Sequence, residues 1–364
     1  MPRRWISWAL LTLTVDADYS ALHSRNAPQL ITSQLHFFPS MSSFGGDQVH
    51  AEVTNEAELP PSCPHCFTGH LQSGTPSGEI LDRFYGLNEV HDLPCYYARP
   101  PPSAPPRSGV ILFLHDAFGM TFLNNQLLCD AYAASGFHVY MPDLLSLNTV
   151  NGAALSHLLD VEPSKTFLGK VSHCCSFLRA VPHFMPLVRA VRSPLQTTLC
   201  FKAFDAVQAH ASDGNYRAGK SDANGATDSP TKTLTPVGCV GFCFGGKYSV
   251  LLGGGEFPKA ACCAGVHPSR VSLPDDLRSL RVPSLFCLAE SDFAFPNGKA
   301  VDTIEALKRE GKTIDYVTYG ETTHGFACRG PDSTRAQRTK CQRDVVEFFK
   351  LHLPVVADTP LKQL

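Results

Sequence analysis

Short apolar runs alternate with segments of helical spacing from residue 110 onward. The apolar runs predict buried strands at 110–114, 137–141, 237–241, 260–266, 284–289 and 314–319. The segments between and after them predict helices at 124–135, 202–210, 248–252, 301–310 and 336–351. Strands that alternate with helices imply an α/β fold, in which helices cover both faces of a mostly parallel central sheet.

The segments outside this alternation divide the chain into three parts. We expect an N-terminal extension at 1–58, a single domain at 59–354 and a C-terminal tail at 355–364. Within the domain, the polar residues 211–233 predict a surface insertion, and the apolar stretches of 163–193 predict helices packed around a loop. The candidate chemistry therefore lies in one domain.

The N-terminal segment allows three interpretations. Arg3 and Arg4 precede an apolar run at 5–15, as in a secretory signal peptide, although the cleavage site is poor. Arginine, serine and histidine without early acidic residues also fit an organelle transit segment. Met41 offers a later start, which would make residues 1–40 a dispensable extension. The apolar run is too short for a transmembrane helix.

The amino-acid composition limits the binding partners and the cellular compartment that we expect. The 364 residues are 43% hydrophobic and carry a formal net charge of −2, with charges of both signs interspersed, so neither nucleic acid nor an acidic membrane is expected as a partner. The 14 cysteines, several of them inside apolar runs, predict reduced core residues and a cytoplasmic location. The C-x-x-C motif of Cys63 and Cys66 lacks a second ligand pair, so an ordinary loop is favoured over a zinc site.

The sharpest chemical signal is Gly-Phe-Cys-Phe-Gly-Gly at 241–246, between a predicted strand and a predicted helix. A nucleophile elbow needs this arrangement, because small residues on either side let the strand and the helix pass closely around a strained central residue. The helix N-terminus then favours negative charge on that residue. The alternative is a glycine-rich turn with a buried thiol, and Cys243 alone does not decide between the two.

Two further residues follow Cys243 in the order nucleophile, acid, base that this fold uses. Glu290 and Asp292 both come just after a predicted strand, and we favour Asp292 because it lies deeper in the loop. His324 also follows a predicted strand and precedes a glycine. Each of these residues has an ordinary structural explanation by itself. Their order predicts a triad of Cys243, His324 and Asp292.

A fourth signal is the loop His-Asp-Ala-Phe-Gly at 115–119, directly after the first predicted parallel strand. In α/β-hydrolases this loop and the residue after the nucleophile each contribute a backbone N–H to the oxyanion hole. Ala117 and Phe244 are therefore the predicted donors. Asp116 places a carboxylate beside the elbow, which would be unusual for a plain esterase.

These motifs in combination resemble the dienelactone hydrolase family, especially its fungal-type branch. They are His-Asp-Ala-Phe-Gly, Met-Pro-Asp-Leu-Leu, Gly-Phe-Cys-Phe-Gly-Gly, Glu-Ser-Asp and His-Gly-Phe-Ala-Cys-Arg-Gly, and the similarity spans roughly residues 60–352. The resemblance implies an α/β-hydrolase fold and lactone hydrolysis through an acyl-cysteine on Cys243. It also implies that Asp116 contacts the resting thiol and disfavours the thiolate until substrate arrives, and that Arg329 pairs with a substrate carboxylate.

The chain departs from the family's pattern at two positions. Asp116 stands where bacterial members carry glutamate, and Cys328 moves Arg329 one position later along the chain. Both departures put dienelactone itself in doubt as the substrate. His267, in a His-Pro-Ser motif of the fungal-type branch, either lines the pocket or packs structurally. The family's second substrate-binding arginine has three candidates, Arg179, Arg189 and Arg192.

The sequence thus predicts a cysteine-dependent hydrolase of a small ester or lactone, similar to carboxymethylenebutenolidase, that requires no cofactor and no metal. We expect a monomer or homodimer that acts on a small molecule. One alternative is a thioesterase or general carboxylesterase on the same triad, which is distinguished by whether Arg329 faces the pocket. The other is a non-catalytic binding protein with a hydrolase fold, which missing triad members would favour.

Overall fold

Eight strands form one sheet in the computed structural model of the chain, which describes residues 70–86, 92–104, 109–145, 193, 195–212 and 235–353. In chain order the strands are β1 (Glu79–Gly86), β2 (Asp92–Ala98), β3 (Val110–Leu114), β4 (His138–Pro142), β5 (Val237–Phe242), β6 (Cys263–Val266), β7 (Ser284–Ser291) and β8 (Ile314–Thr323). Across the sheet they run β1-β2-β4-β3-β5-β6-β7-β8. The pairs β1–β2 and β2–β4 are antiparallel, whereas every pair from β4 to β8 is parallel.

Helices cover both faces of this sheet. They are α1 (Leu123–Ala133), α2 (Leu195–Ser212), α3 (Phe244–Gly253), α4 (Asp275–Arg278), α5 (Asn297–Arg309), α6 (Phe326–Arg329) and α7 (Arg335–His352), with a 3₁₀ turn at Asp332–Thr334. Because successive strand residues point to opposite faces, Leu112 joins an apolar cluster with residues of α2, α3 and α5, while Phe113 joins another with residues of α1 and α7. The predicted α/β-hydrolase fold is therefore correct.

Several element boundaries differ from those predicted. Strands β7 and β8 continue past the predicted ends at 289 and 319, because their last residues are mostly polar and exposed and carry no apolar signal. Strand β6 begins at Cys263, later than the predicted 260, and helix α2 begins at Leu195, earlier than the predicted 202. The loops that begin with Asp292 and His324 consequently start later than the apolar pattern indicates.

The hydrophobic pattern alone predicted neither β1 nor β2. Strand β1 lies at the sheet edge, and exposed Asp82 and Arg83 interrupt its apolar residues. The predicted N-terminal extension and C-terminal tail, and nearly all of the segments 163–193 and 211–233, lie outside the described residues, so the domain division stays a prediction. Among the described residues, no helix is both long enough and apolar enough to span a bilayer.

Candidate active site

Cys243 occupies the sharp turn between β5 and α3, with φ 49° and ψ −112°. A non-glycine residue in such a sparsely populated conformation stores about 1–3 kcal/mol of strain, which is typical of functional sites. Glycines make the turn possible: a Cβ at Gly241 would overlap the carbonyl group of Gly245, and a Cβ at Gly245 would overlap that of Leu114. The glycine-rich motif thus forms a close crossing of β5, α3 and β3 that holds the thiol at the helix N-terminus.

Cys243, His324 and Asp292 form one hydrogen-bonded line. His324 Nε2 lies 3.0 Å from Cys243 Sγ, and His324 Nδ1 lies 2.9 Å from Asp292 Oδ2. The His324 and Asp292 side chains are 4% and 1% exposed. Glu290, the alternative acid, is exposed and accepts a hydrogen bond from the Glu321 backbone N–H at 2.7 Å instead. The structure therefore brings together the three residues of the predicted triad.

The loop before α5 orients the Asp292 carboxylate. Its Oδ1 accepts hydrogen bonds from the backbone N–H groups of Ala294 at 2.8 Å and Phe295 at 3.1 Å, and also lies 3.0 Å from His324 Nδ1. An acceptor held in this way favours the tautomer in which Nδ1 carries the proton, so Nε2 is left to exchange a proton with the thiol.

The contact between Cys243 and His324 shifts both pKa values. Burial by itself would raise the pKa of the Cys243 thiol, but the adjacent His324 and the Arg329 charge outweigh burial and lower it below its ordinary value. Burial would likewise lower the pKa of His324, but Cys243 and Asp292 raise it to about 9. Both shifts favour the thiolate–imidazolium ion pair over the neutral thiol and imidazole.

The predicted oxyanion donors lie in the two segments that meet at the elbow. Neither the Ala117 nor the Phe244 backbone N–H donates a hydrogen bond to another described residue. The next two N–H groups in the loop, of Phe118 and Gly119, both bind Asp116, at Oδ1 and at the backbone oxygen respectively, and so fix the loop as a tight turn. Ala117 and Phe244 therefore keep an N–H each that can bind an oxyanion.

Asp116 forms a buried ion pair with Arg329 and no hydrogen bond with the thiol. Its Oδ2 lies 3.4 Å from Arg329 Nη1. Its Oδ1 accepts hydrogen bonds from the Phe118 N–H at 3.0 Å and from Asn125 Nδ2 at 2.9 Å. The contact with Cys243 that the family resemblance implied is therefore replaced by one with Arg329, because three donors around Asp116 satisfy its carboxylate.

Arg329 is enclosed between the two loops that flank the elbow. Its guanidinium carbon lies 4.9 Å from the centroid of the Phe118 ring, and its side chain is 4% exposed. Gly325, at φ 88°, allows this packing, since a Cβ there would lie 2.5 Å from Arg329 Nη1. Gly325 is therefore required both by its positive φ and by the lack of room for a Cβ beside Arg329.

Two neighbours of the triad, Ser269 and Phe293, had no role predicted from the sequence, and a third, His267, had two alternative roles. Ser269 Oγ lies 3.8 Å from Cys243 Sγ, and the Ser269 N–H donates to the Cys243 carbonyl at 2.8 Å. The rings of His267 and Phe293 lie on His324, each with a centroid distance of 5.2 Å. The position of Ser269 shortly after the C-terminal end of β6 could have indicated it. Phe293 has the same kind of position after β7, but a single exposed aromatic residue in a loop is ordinary.

His267 is fully buried, and neither ring nitrogen has a hydrogen-bond partner among the described residues. Burial, followed by the charges of His324 and Arg329, lowers its pKa well below the ordinary value. His267 is therefore a neutral ring packed against the catalytic candidate, which favours the structural interpretation over a place in the pocket.

The remaining candidate sites fall outside this cluster. Arg179, Arg189, Arg192 and the Cys63–Cys66 motif lie outside the described residues. Within the described ranges, no group of three or more histidine, cysteine, aspartate or glutamate side chains is arranged to hold a metal ion.

A comparison with family models identifies the family of this chain. Residues 93–353, more than half of the chain, match the model of the dienelactone hydrolase family. Hydrolase pyvD of Aspergillus violaceofuscus is 27% identical over 273 residues, covering 74% of this chain and 87% of that relative. Hydrolase tropI of Talaromyces stipitatus is 27% identical over 276 residues, with the same 74% and 87% coverage. An α/β serine hydrolase without a lid from Xanthomonas campestris aligns with a TM-score of 0.46 at 13% identity, covering 78% of this chain and 99% of that structure.

Proposed function

Because the chain belongs to the dienelactone hydrolase family and is therefore a hydrolase of ester bonds, we propose that it cleaves a small ester or lactone through an acyl-cysteine on Cys243. The 3.0 Å contact between Cys243 Sγ and His324 Nε2 carries this proposal. With Asp292 on the other ring nitrogen, it supplies the nucleophile, base and orienting acid that acyl transfer needs.

Acylation uses the ion pair. The Cys243 thiolate attacks the ester carbonyl carbon, and the carbonyl electron pair moves onto its oxygen. The N–H groups of Ala117 and Phe244 stabilise that oxyanion, and one such donor typically contributes roughly 10²–10³ in rate. The ester carbon–oxygen bond then breaks, and the alkoxide takes the proton from His324 Nε2. In a lactone, the resulting alcohol stays attached to the acyl group.

Deacylation reverses the roles. Neutral His324 removes a proton from water, and the hydroxide attacks the acyl carbon. The carbon–sulfur bond breaks, releasing the acid and restoring the Cys243 thiolate beside the imidazolium. Asp292 keeps Nδ1 protonated throughout, so that every proton transfer passes through Nε2.

A turnover screen on the full chain tests the proposal. Lactones and short 4-nitrophenyl esters would be offered to the wild type, to Cys243→Ala and to a control, Cys200→Ala, which removes a buried thiol on α2. We expect wild-type turnover, retention in the control and a loss of roughly 10³-fold or more in Cys243→Ala. No wild-type turnover of any substrate, or undiminished turnover in Cys243→Ala, would overturn it.

A further inference from the structure

We infer that the acyl group bound beside Cys243 is uncharged, because Arg329, the buried cation next to the thiol, is already paired with Asp116. This inference rests on the proposed function and names its substrate class. It also changes the role of Arg329, from a receptor for a substrate carboxylate to a positioning residue.

The charge balance comes from contacts within the protein. Asp116 is fully buried and Arg329 nearly so, with their side chains 0% and 4% exposed. The Phe118 ring and the Gly325 backbone also pack against the guanidinium. A guanidinium that serves as a receptor for carboxylates needs a face open to the ligand, and this one is enclosed by the protein.

A substrate carboxylate would have to displace Asp116 or join it. Displacement would separate a buried ion pair and strain the bonds that Asp116 accepts from Phe118 and Asn125. Joining would place two carboxylates around one guanidinium, where burial weakens the screening of their repulsion. An uncharged acyl group avoids both costs.

An exposed aromatic side chain also lies beside the triad. Phe293 is 51% exposed, and its ring lies edge-on to His324. An exposed aromatic ring beside the reacting atoms gains most from an apolar ligand that removes it from water. The substrate class that fits is therefore a neutral ester or lactone with an apolar substituent, held where Arg329 joins the Asp116 loop to the His324 loop.

Two isosteric esters test the inference directly. 4-Nitrophenyl levulinate and 4-nitrophenyl hemisuccinate share one leaving group and differ by a methyl group against a carboxylate oxygen. We expect wild-type kcat/KM to favour the neutral levulinate by roughly tenfold or more, relative to the ratio of the two esters in alkaline hydrolysis. Equal values, or a preference for the hemisuccinate, would overturn the inference while leaving the proposed function intact. If neither ester is turned over, the alkylation rates given below test the inference, and the screen of lactones and short esters tests the proposed function.

A variant without the Asp116 charge tests whether the preference for the neutral ester depends on the Asp116–Arg329 pair. Asp116→Asn leaves the Arg329 charge uncompensated, so the ratio of anionic to neutral kcat/KM should rise several-fold even if both values fall. The matched control Asp315→Asn removes an exposed carboxylate that pairs with Lys308 and should leave the ratio unchanged. An unchanged ratio in Asp116→Asn would contradict the assignment to this pair.

Alkylation gives a second readout that needs no turnover. Iodoacetamide and iodoacetate differ only in charge, and their rates on Cys243 can be normalised to those on glutathione. In the wild type, the normalised rate with iodoacetate should be lower than that with iodoacetamide. In Asp116→Asn, this difference should become smaller. Normalised rates that favour iodoacetate in the wild type would mean that Arg329 receives carboxylates, and would overturn the inference whether or not any ester is cleaved.

Discussion

Ser291 pairs with Thr323 as the last pair of the β7–β8 ladder, after a shift in register that follows Ala289. The next residues along the two strands are Asp292 and His324, so the ladder places the carboxylate and the imidazole side by side. In an unshifted register, the ladder would set Asp292 opposite Thr322 and leave the histidine two residues further on. The register shift is therefore what aligns Asp292 with His324.

Replacing Asp292 should damage catalysis far more than replacing its neighbour Glu290. Asp292→Asn keeps the shape but can no longer hold the Nδ1–H tautomer of His324, so kcat/KM on a neutral ester should fall by roughly 10³–10⁴-fold. The control Glu290→Gln alters an exposed side chain that accepts a hydrogen bond from the Glu321 backbone N–H in β8, and its kcat/KM should stay within about twofold of the wild type. A larger loss of kcat/KM in Glu290→Gln than in Asp292→Asn would show that Glu290, and not Asp292, is the acid that orients His324.

The pH dependence of alkylation should report the ion pair. Because His324 lowers the pKa of the Cys243 thiol, wild-type reaction with iodoacetamide should reach half its plateau below the ordinary thiol pKa of 9.0. In His324→Ala, burial is no longer offset by the imidazolium, so the midpoint should move upward by roughly one unit or more. The other described free cysteines are all buried, and Cys243→Ala measures their background. Coincident profiles for the wild type and His324→Ala would rule out the ion pair.

Two glycines should respond oppositely to alanine. A Cβ at Gly245 would overlap the backbone carbonyl of Leu114, so Gly245→Ala should lower the free energy of unfolding by about 3 kcal/mol or more. Gly298 lies in α5 with no atom within 4 Å of its would-be Cβ, so Gly298→Ala should raise stability by about 0.5–1 kcal/mol. Urea denaturation of both variants measures the difference, and equal effects would contradict the tight crossing at the elbow.

His267 should make the fold sensitive to acid. Burial keeps its pKa below 6.5 in the folded state, so below pH 6.5 the unfolded chain binds a proton that the native protein does not, and stability falls. His267→Phe should remove about 2 kcal/mol of the loss between pH 7 and pH 5. His324, whose pKa is raised to about 9, adds stability that is fully present below pH 6.5 and is lost between pH 6.5 and about 9. Both proteins carry His324, so it does not change the difference between them. Parallel stability curves for the two proteins would contradict a neutral His267.

The triad could be predicted because its members follow strand ends in a fixed order. Cys243 lies in a turn that requires glycines, because a Cβ at Gly241 or Gly245 would overlap backbone atoms. This requirement is local and is therefore visible in the sequence. Asp292 and His324 each come after apolar strands, and parallel strands collect their C-terminal ends at one edge of the sheet. Their meeting was therefore predictable, although the register shift that aligns them was not.

The Asp116–Arg329 pair could not be predicted, because the two residues are 213 positions apart and no periodic pattern links their loops. The family resemblance implied that Asp116 contacts the Cys243 thiol and that Arg329 contacts a substrate carboxylate. In the structure, Asp116 and Arg329 contact each other instead. Phe293 was missed for a simpler reason, since a single exposed aromatic residue in a loop is ordinary. The cytoplasmic location and the monomeric or dimeric state stay predictions.

Trapping the acyl-enzyme tests the central claim most directly. The protein would be mixed with excess 4-nitrophenyl acetate, quenched in acid within the first turnovers and analysed by peptide mass spectrometry. We predict an acetyl group on the peptide that contains Cys243, formed in step with a burst of 4-nitrophenolate and absent from Cys243→Ala. Acetylation of a different residue during turnover, or full turnover by Cys243→Ala, would contradict the acyl-cysteine mechanism.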